Sequence, residues 1–264
     1  EKKFQRTSSL LKKELEGEPR NLYYRYQLST SYGMYGDVNN AIRQVDIFMN
    51  IINENKLIND ITIMYLNNAA AIYCNGYKFE KANKVIDTAL MYKPDFIDFI
   101  YYKAYVLFNL GKYSEALPYI EKYLLLLKDY FESNIAKDGR YVFYTLGYKS
   151  KAVRLYIVMN YRLKSYIKCI DNAYGIDNDL TLKNCLHEIV NSCFYINRYK
   201  ELVDFYDNRI IESKQEGIED VFLFFLIRNL VEMTDAEIDR LYSYFNDKPH
   251  NNFIIKVKNQ LSNN

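Results

Sequence analysis

The 264-residue chain is 49% hydrophobic and 26% charged, which excludes a disordered polymer and supplies apolar surface for a substantial core. Its 35 basic and 33 acidic side chains leave a formal charge of +2, so no one-sign field exists to attract nucleic acid or an anionic membrane. Only 9 Gly and 4 Pro punctuate the chain, too few for many short strands joined by tight turns, and an all-α protein is expected.

Residues 1–21 hold one helical stretch, residues 4–16, followed by Pro19. It reads as the second helix of a pair whose first helix is missing. The charged start has neither an initiator Met nor a secretory pattern, so the chain is expected to be a piece of a longer polypeptide. From Leu22 a helix–turn–helix pattern runs through Leu28, Ser29, Tyr32, Gly36, Ala41, Val45 and Phe48. Residues 63–96 restate it. Leu66, Ala69, Ala70 and Tyr73 line a first helix, Tyr77 and Phe79 make the turn, Ala82, Ile86 and Ala89 line the second helix, and Pro94 ends the unit. Residues 97–130 do so again with Ile100, Ala104, Leu107, Gly111, Tyr113, Ala116 and Ile120.

Ala82 and Ala116 lie 34 residues apart. That period and these residue types resemble the tetratricopeptide repeat, which implies a right-handed α-solenoid of helix–turn–helix units. Small residues let antiparallel helices approach, large neighbours fill the space between units, and glycine permits the turn between helices. Tyr123 stands where the family has a small residue. Pro118 is expected in the first turn of its helix, where a missing N–H has no partner to lose. Ala41 and Ala82 are seven residues further apart than the period. The second helix of that repeat, or the loop NENKLIND, is therefore expected to be longer by about two turns and to disturb the stack.

Residues 131–149 read as an insertion or long connection. Residues 150–248 read as divergent helical repeats, with Cys169 and, 33 residues on, Leu202 at the small-residue position. Thr234 and Glu237 have capping-box spacing. A C-terminal capping helix is expected over 249–264, for about 13 or 14 helices in all and no strands.

Chemistry-bearing patterns are sparse. Cys74, Cys169, Cys185 and Cys193 are scattered without Cys-x-x-Cys spacing, as in reduced, mostly buried thiols of a cytoplasmic protein. His187 and His250 are the two histidines, and Cys185 and His187, two apart, point to different helix faces. No nucleophile elbow, P-loop or dinucleotide fingerprint is present. No catalytic residue, metal or cofactor is assigned. The apolar runs YLLLL and VFLFFLI are too short to span a bilayer.

The resemblance places a partner on the concave face formed by first helices. Its pattern carries over, residue by residue, to Tyr23, Tyr26 and Thr30; to Met64, Asn67 and Ala71; to Asp98, Tyr101 and Tyr105; and to Lys151, Arg154 and Tyr161. The implied partner is a protein or peptide, with a homodimer as a further expectation. The carboxylate clamp of chaperone-binding members is not expected, because only Asn68 matches it and Arg25, Tyr26, Met64 and Asp98 depart from it. The opening RTSSLLKKELEGEPRNLYYRYQLSTSYGMYGDVNNAI is similar to the entry of tetratricopeptide regions that follow the catalytic domain in clostridial-type family 2 glycosyltransferases. That likeness implies a non-catalytic module of a bacterial enzyme, positioning a protein acceptor or mediating assembly. A peptide-sensing domain of a quorum-sensing-type regulator is the alternative from a different class.

Overall fold

The computed structural model describes residues 2–130 and 141–246, and every regular element among them is helical. The chain divides into two compact units, Glu1–Gly147 and Tyr148–Asn264. The capping helix expected over 249–264, and residues 131–140 of the expected insertion, lie outside the described residues.

The N-terminal unit runs α1 (Lys2–Gly17), α2 (Leu22–Tyr35), α3 (Val38–Asn55), α4 (Asp60–Asn75), α5 (Phe79–Tyr92), α6 (Ile97–Asn109) and α7 (Tyr113–Tyr130). Each helix packs on the next, and α2 also touches α4 as α4 touches α6, so α2, α4 and α6 form one continuous layer. Ala41, Ala69, Ala70, Ala82, Ala104 and Ala116 have no exposed surface. Phe48, Leu66, Ile86, Phe99 and Ile100 fill the space around them almost fully buried, each contributing about 1.5–3 kcal/mol. Polar caps fix the starts: Asn21 accepts from Tyr24 N–H, Asp37 from Asn40 N–H, and Asn59 forms a reciprocal capping box with Thr62.

The seven surplus residues are shared between two helices. α3 has 18 residues against 14 in α5, and α4 has 16 against 13 in α6. The surplus lengthens α3 and α4 by about one turn each, and the stack continues through it, although α4 meets α3 and α2 less extensively than α6 meets α5 and α4. Pro118 corrects an expectation. It is the sixth residue of α7, so a helical bond to the Ser114 carbonyl is lost. The helix nevertheless continues to Tyr130.

The C-terminal unit contains α8 (Lys149–Arg162), α9 (Tyr166–Ala173), the short α10 (Asp179–Lys183), α11 (Leu186–Tyr195), α12 (Tyr199–Phe205), a π-helical turn (Tyr206–Ile210), α13 (Ile218–Leu230) and α14 (Asp235–Asn246). α11 is central, touching α8, α9, α12 and α13. Before α14, the Glu237 carboxylate accepts from both the Thr234 N–H (2.9 Å) and its hydroxyl (2.8 Å).

Both units use one turn. Gly36, Tyr77, Gly111, Lys164 and Asn197 all have positive φ between helices of a pair. Immediately after each, a backbone N–H reaches back to the carbonyl five residues earlier: Asp37 to Tyr32, Lys78 to Tyr73, Lys112 to Leu107, Ser165 to Asn160 and Arg198 to Cys193, at 2.8–2.9 Å. This is the Schellman helix stop. Gly76 serves another purpose, since its own φ is −91°. A Cβ there would lie 2.5 Å from Ile42 Cδ1 and 3.1 Å from Val38 Cγ1, so the glycine lets the end of α4 approach α3.

Candidate peptide-binding face

The expected residues of the N-terminal unit fall on the α2–α4–α6 layer. Tyr23 is 53% exposed. Tyr26 lays its ring on Tyr65 at 4.7 Å. The Thr30 hydroxyl donates to the Tyr26 carbonyl (3.0 Å), a bond within its own helix. Met64 and Ala71 are partly buried. Tyr105 stacks on Tyr101 at 6.3 Å and meets Phe79 edge-on. Asn68, the residue shared with chaperone clamps, is buried and donates to Ser29 Oγ (2.9 Å), which makes it a helix-packing residue.

Asn67, Asp98 and Tyr101 are buried, and Tyr101 packs on Tyr123 of α7 at 5.1 Å. Asn67 and Asp98 are hydrogen-bonded to the non-helical run 141–147, which belongs to the same unit. Asp98, in the first turn of α6, is fully buried. Its Oδ1 accepts from Thr145 N–H (3.0 Å) and the Thr145 hydroxyl (2.6 Å), and its Oδ2 from Tyr144 N–H (2.7 Å) and Asn67 Nδ2 (2.8 Å). Burial raises the Asp98 pKa, and these hydrogen bonds oppose the rise without cancelling it. Asn67 Nδ2 also donates to the Val142 carbonyl (3.3 Å), while its buried Oδ1 has no partner.

The run spans the whole layer. Tyr26 of α2 lies near enough to the Tyr144 hydroxyl to add to the rise that burial gives its pKa, and the Tyr123 hydroxyl of α7 donates to the Thr145 carbonyl. Phe143 packs against Phe96 (5.0 Å) and Tyr130 (5.4 Å), and Tyr141 meets Phe96 edge-on (5.5 Å). Lys93, ion-paired with Asp60 at 2.9 Å, sits over the Tyr141 ring. The layer thus holds a length of polypeptide through backbone groups, one hydroxyl and an aromatic pocket. Reading residues 131–149 as a connection missed these partners, because a non-helical run carries no periodicity to reveal them.

The remaining expected residues lie in the C-terminal unit. Lys151 is exposed with its ammonium 3.7 Å from the Tyr148 ring centroid, and Arg154 is exposed. Tyr161 contacts Tyr166, His187 and Tyr195. Four residues absent from the expected set complete this cluster. Asn191 Nδ2 lies 3.3 Å from Tyr161 Oη and 3.0 Å from His187 Nε2, Asn229 Nδ2 donates to Asn191 Oδ1 (2.7 Å), and Phe225 packs on His187. The signal was spacing: 187 to 191 and 225 to 229 are each one helical turn.

All four cysteines are buried and free. Burial pushes Cys74, Cys169 and Cys185 up to about 12 and Cys193 higher still, so these thiols stay protonated and unreactive. An aromatic disulfide reagent at mildly alkaline pH is expected to label none of them in the native chain and all four after denaturation. Rapid native labelling of any one would contradict its burial. Among the described residues, no group of three or more His, Cys, Asp or Glu side chains is placed to hold a metal ion, and no helix is long and apolar enough to cross a membrane.

No protein-family model matches the chain, and no curated protein matches it. Solved structures do resemble it. A tetratricopeptide repeat protein from Parabacteroides merdae has a TM-score of 0.51 at 14% identity, covering 90% of both chains. Pseudomonas aeruginosa pilF has a TM-score of 0.49 at 13% identity, covering 94% of this chain and 100% of that one. At such identities the likeness concerns architecture alone. Combined with the paired helices, the five repeated turns and the contacts between successive first helices, the first of these likenesses shows that the chain has the fold of a tetratricopeptide-repeat α-solenoid.

Proposed function

We propose that the protein is a non-catalytic interaction scaffold whose N-terminal unit holds a non-helical length of polypeptide on the α2–α4–α6 layer. One observation supports this above the others: Asn67, Asp98 and Tyr123 already grip the backbone of residues 142–145, at and beside positions where the repeat family seats peptides. Backbone groups grant tolerance of sequence, while the Phe96 and Tyr130 rings select an aromatic side chain. The likeness of the first repeat to transferase-associated regions favours a protein acceptor as the partner. The occupied face supports a second reading, a peptide-sensing module.

The test is selection of unstructured peptides from a display library on the purified full chain. Selected peptides are expected to lose about tenfold or more in affinity to Asn67→Ala and to Tyr26→Ala, with the helical circular dichroism spectrum retained. Equal capture by both folded variants would move binding off this face.

A further inference from the structure

We propose that residues 141–146 are an in-cis occupant of this face, which a peptide of matching chemistry displaces: one with an aromatic residue, any residue, then Thr or Ser. The inference rests on the interaction-face reading and adds what the partner looks like and what it must remove.

Asp98 sets the first requirement. A carboxylate this deeply buried must be met by donors, and three of its four come from the run: two consecutive N–H groups and the Thr145 hydroxyl. Any replacement must bring the same three donors, which a Ser or Thr and its preceding residue supply. The second requirement is the Phe96–Tyr130 pocket, which takes the side chain two residues earlier, Phe143.

Asn67 indicates that the run is not the best occupant. A side-chain amide can pair with a peptide unit through both its N–H and its C=O. The run uses only the donor half, by way of Val142 O, and leaves the buried Asn67 Oδ1 without a hydrogen bond. A peptide offering one further N–H there gains an interaction that the run does not make. Val142 itself stays 57% exposed, so the run lies on the layer rather than within the core.

The probe is a fluorescent peptide with the sequence of residues 141–147, YVFYTLG, carrying a lysine tail for solubility, titrated into the full chain. Wild type is expected to bind weakly. The double variant Phe143→Ser, Thr145→Val, which loosens the run and leaves the face intact, is expected to bind about tenfold tighter or more. Adding Asp98→Asn to it should abolish that gain, as should Thr→Val in the probe. A second measurement needs no variant: probe binding to wild type should raise hydrogen exchange at the Tyr144 and Thr145 amides of the chain. A folded double variant that binds no tighter, or unchanged protection of those amides with the probe bound, overturns the inference. If library-selected peptides still depend on Asn67 in that case, the interaction-face reading stands without it. If they do not, both fall together.

Discussion

Asp98→Ala is expected to destabilise the N-terminal unit by about 3–5 kcal/mol, the range for removing one partner from a buried charged network. The substitution strands two backbone N–H groups, a hydroxyl and the Asn67 amide in a site that water does not reach. Each orphaned donor costs about 1–3 kcal/mol before relaxation, and release of the run 141–147 into solvent recovers part of that. Urea unfolding should therefore shift to lower denaturant. Amide exchange at Tyr144 and Thr145 should become the fastest change in the unit. A loss under about 1 kcal/mol would show that the carboxylate does not organise the run.

The same group predicts a pH dependence. Because burial raises the Asp98 pKa in the folded state, the native chain takes up this proton at higher pH than the unfolded chain does. Between the two values the native state binds more protons, so this contribution grows as pH falls through the folded pKa and is lost as pH rises through it. Asp98→Asn removes the titration. The stability of wild type minus that of Asp98→Asn should increase on acidification from neutrality toward the ordinary carboxylate range. A difference that stays flat would contradict the raised pKa.

The helical pairs were legible because their signals are local. Ala82 and Ala116 announce the period, and Gly36 and Gly111 mark turns whose positive φ favours glycine. In the C-terminal unit the same turn is made at Lys164 and Asn197, so the repeats there had to be read from Cys169 and Leu202 without a glycine to mark the turn, and only as divergent ones. Gly76 misleads in the opposite direction. It looks like another turn glycine, yet Tyr77 takes the left-handed conformation while Gly76 makes room for Ile42.

The candidate face was half legible. Tyr26, Asn67, Asp98 and Tyr101 could be placed from the repeat pattern, but the burial of Asn67, Asp98 and Tyr101 could not. The groups that cover Asp98 come 46 and 47 residues later in the chain. No local periodicity encodes a contact of that separation. His187, Asn191, Phe225 and Asn229 were missed for a related reason, since their cluster joins α11 to α13 across an irregular connection that contains a π-helical turn.

Tyr123→Ala is expected to cost about 3–5 kcal/mol, as for deletion of a fully buried aromatic side chain, and Tyr123→Phe about 1 kcal/mol, the net worth of its hydrogen bond. Tyr123 occupies a position where this repeat family has a small residue, to admit the next helix pair. Among the described residues of the N-terminal unit α7 is the last helix, and there this position holds a large side chain. The ring is fully buried and packs on Tyr101 at 5.1 Å, while the hydroxyl reaches the Thr145 carbonyl. Tyr123 therefore packs α7 on α6 and supports the run 141–147 through different atoms, and the two variants separate these roles. Tyr123→Ala should lower the denaturation midpoint of the unit as a whole. Tyr123→Phe should leave that midpoint nearly in place while raising exchange within residues 142–146 and strengthening capture of the YVFYTLG probe. Equal destabilisation by both variants would mean that the hydroxyl, rather than the ring, carries the packing at this end of the unit.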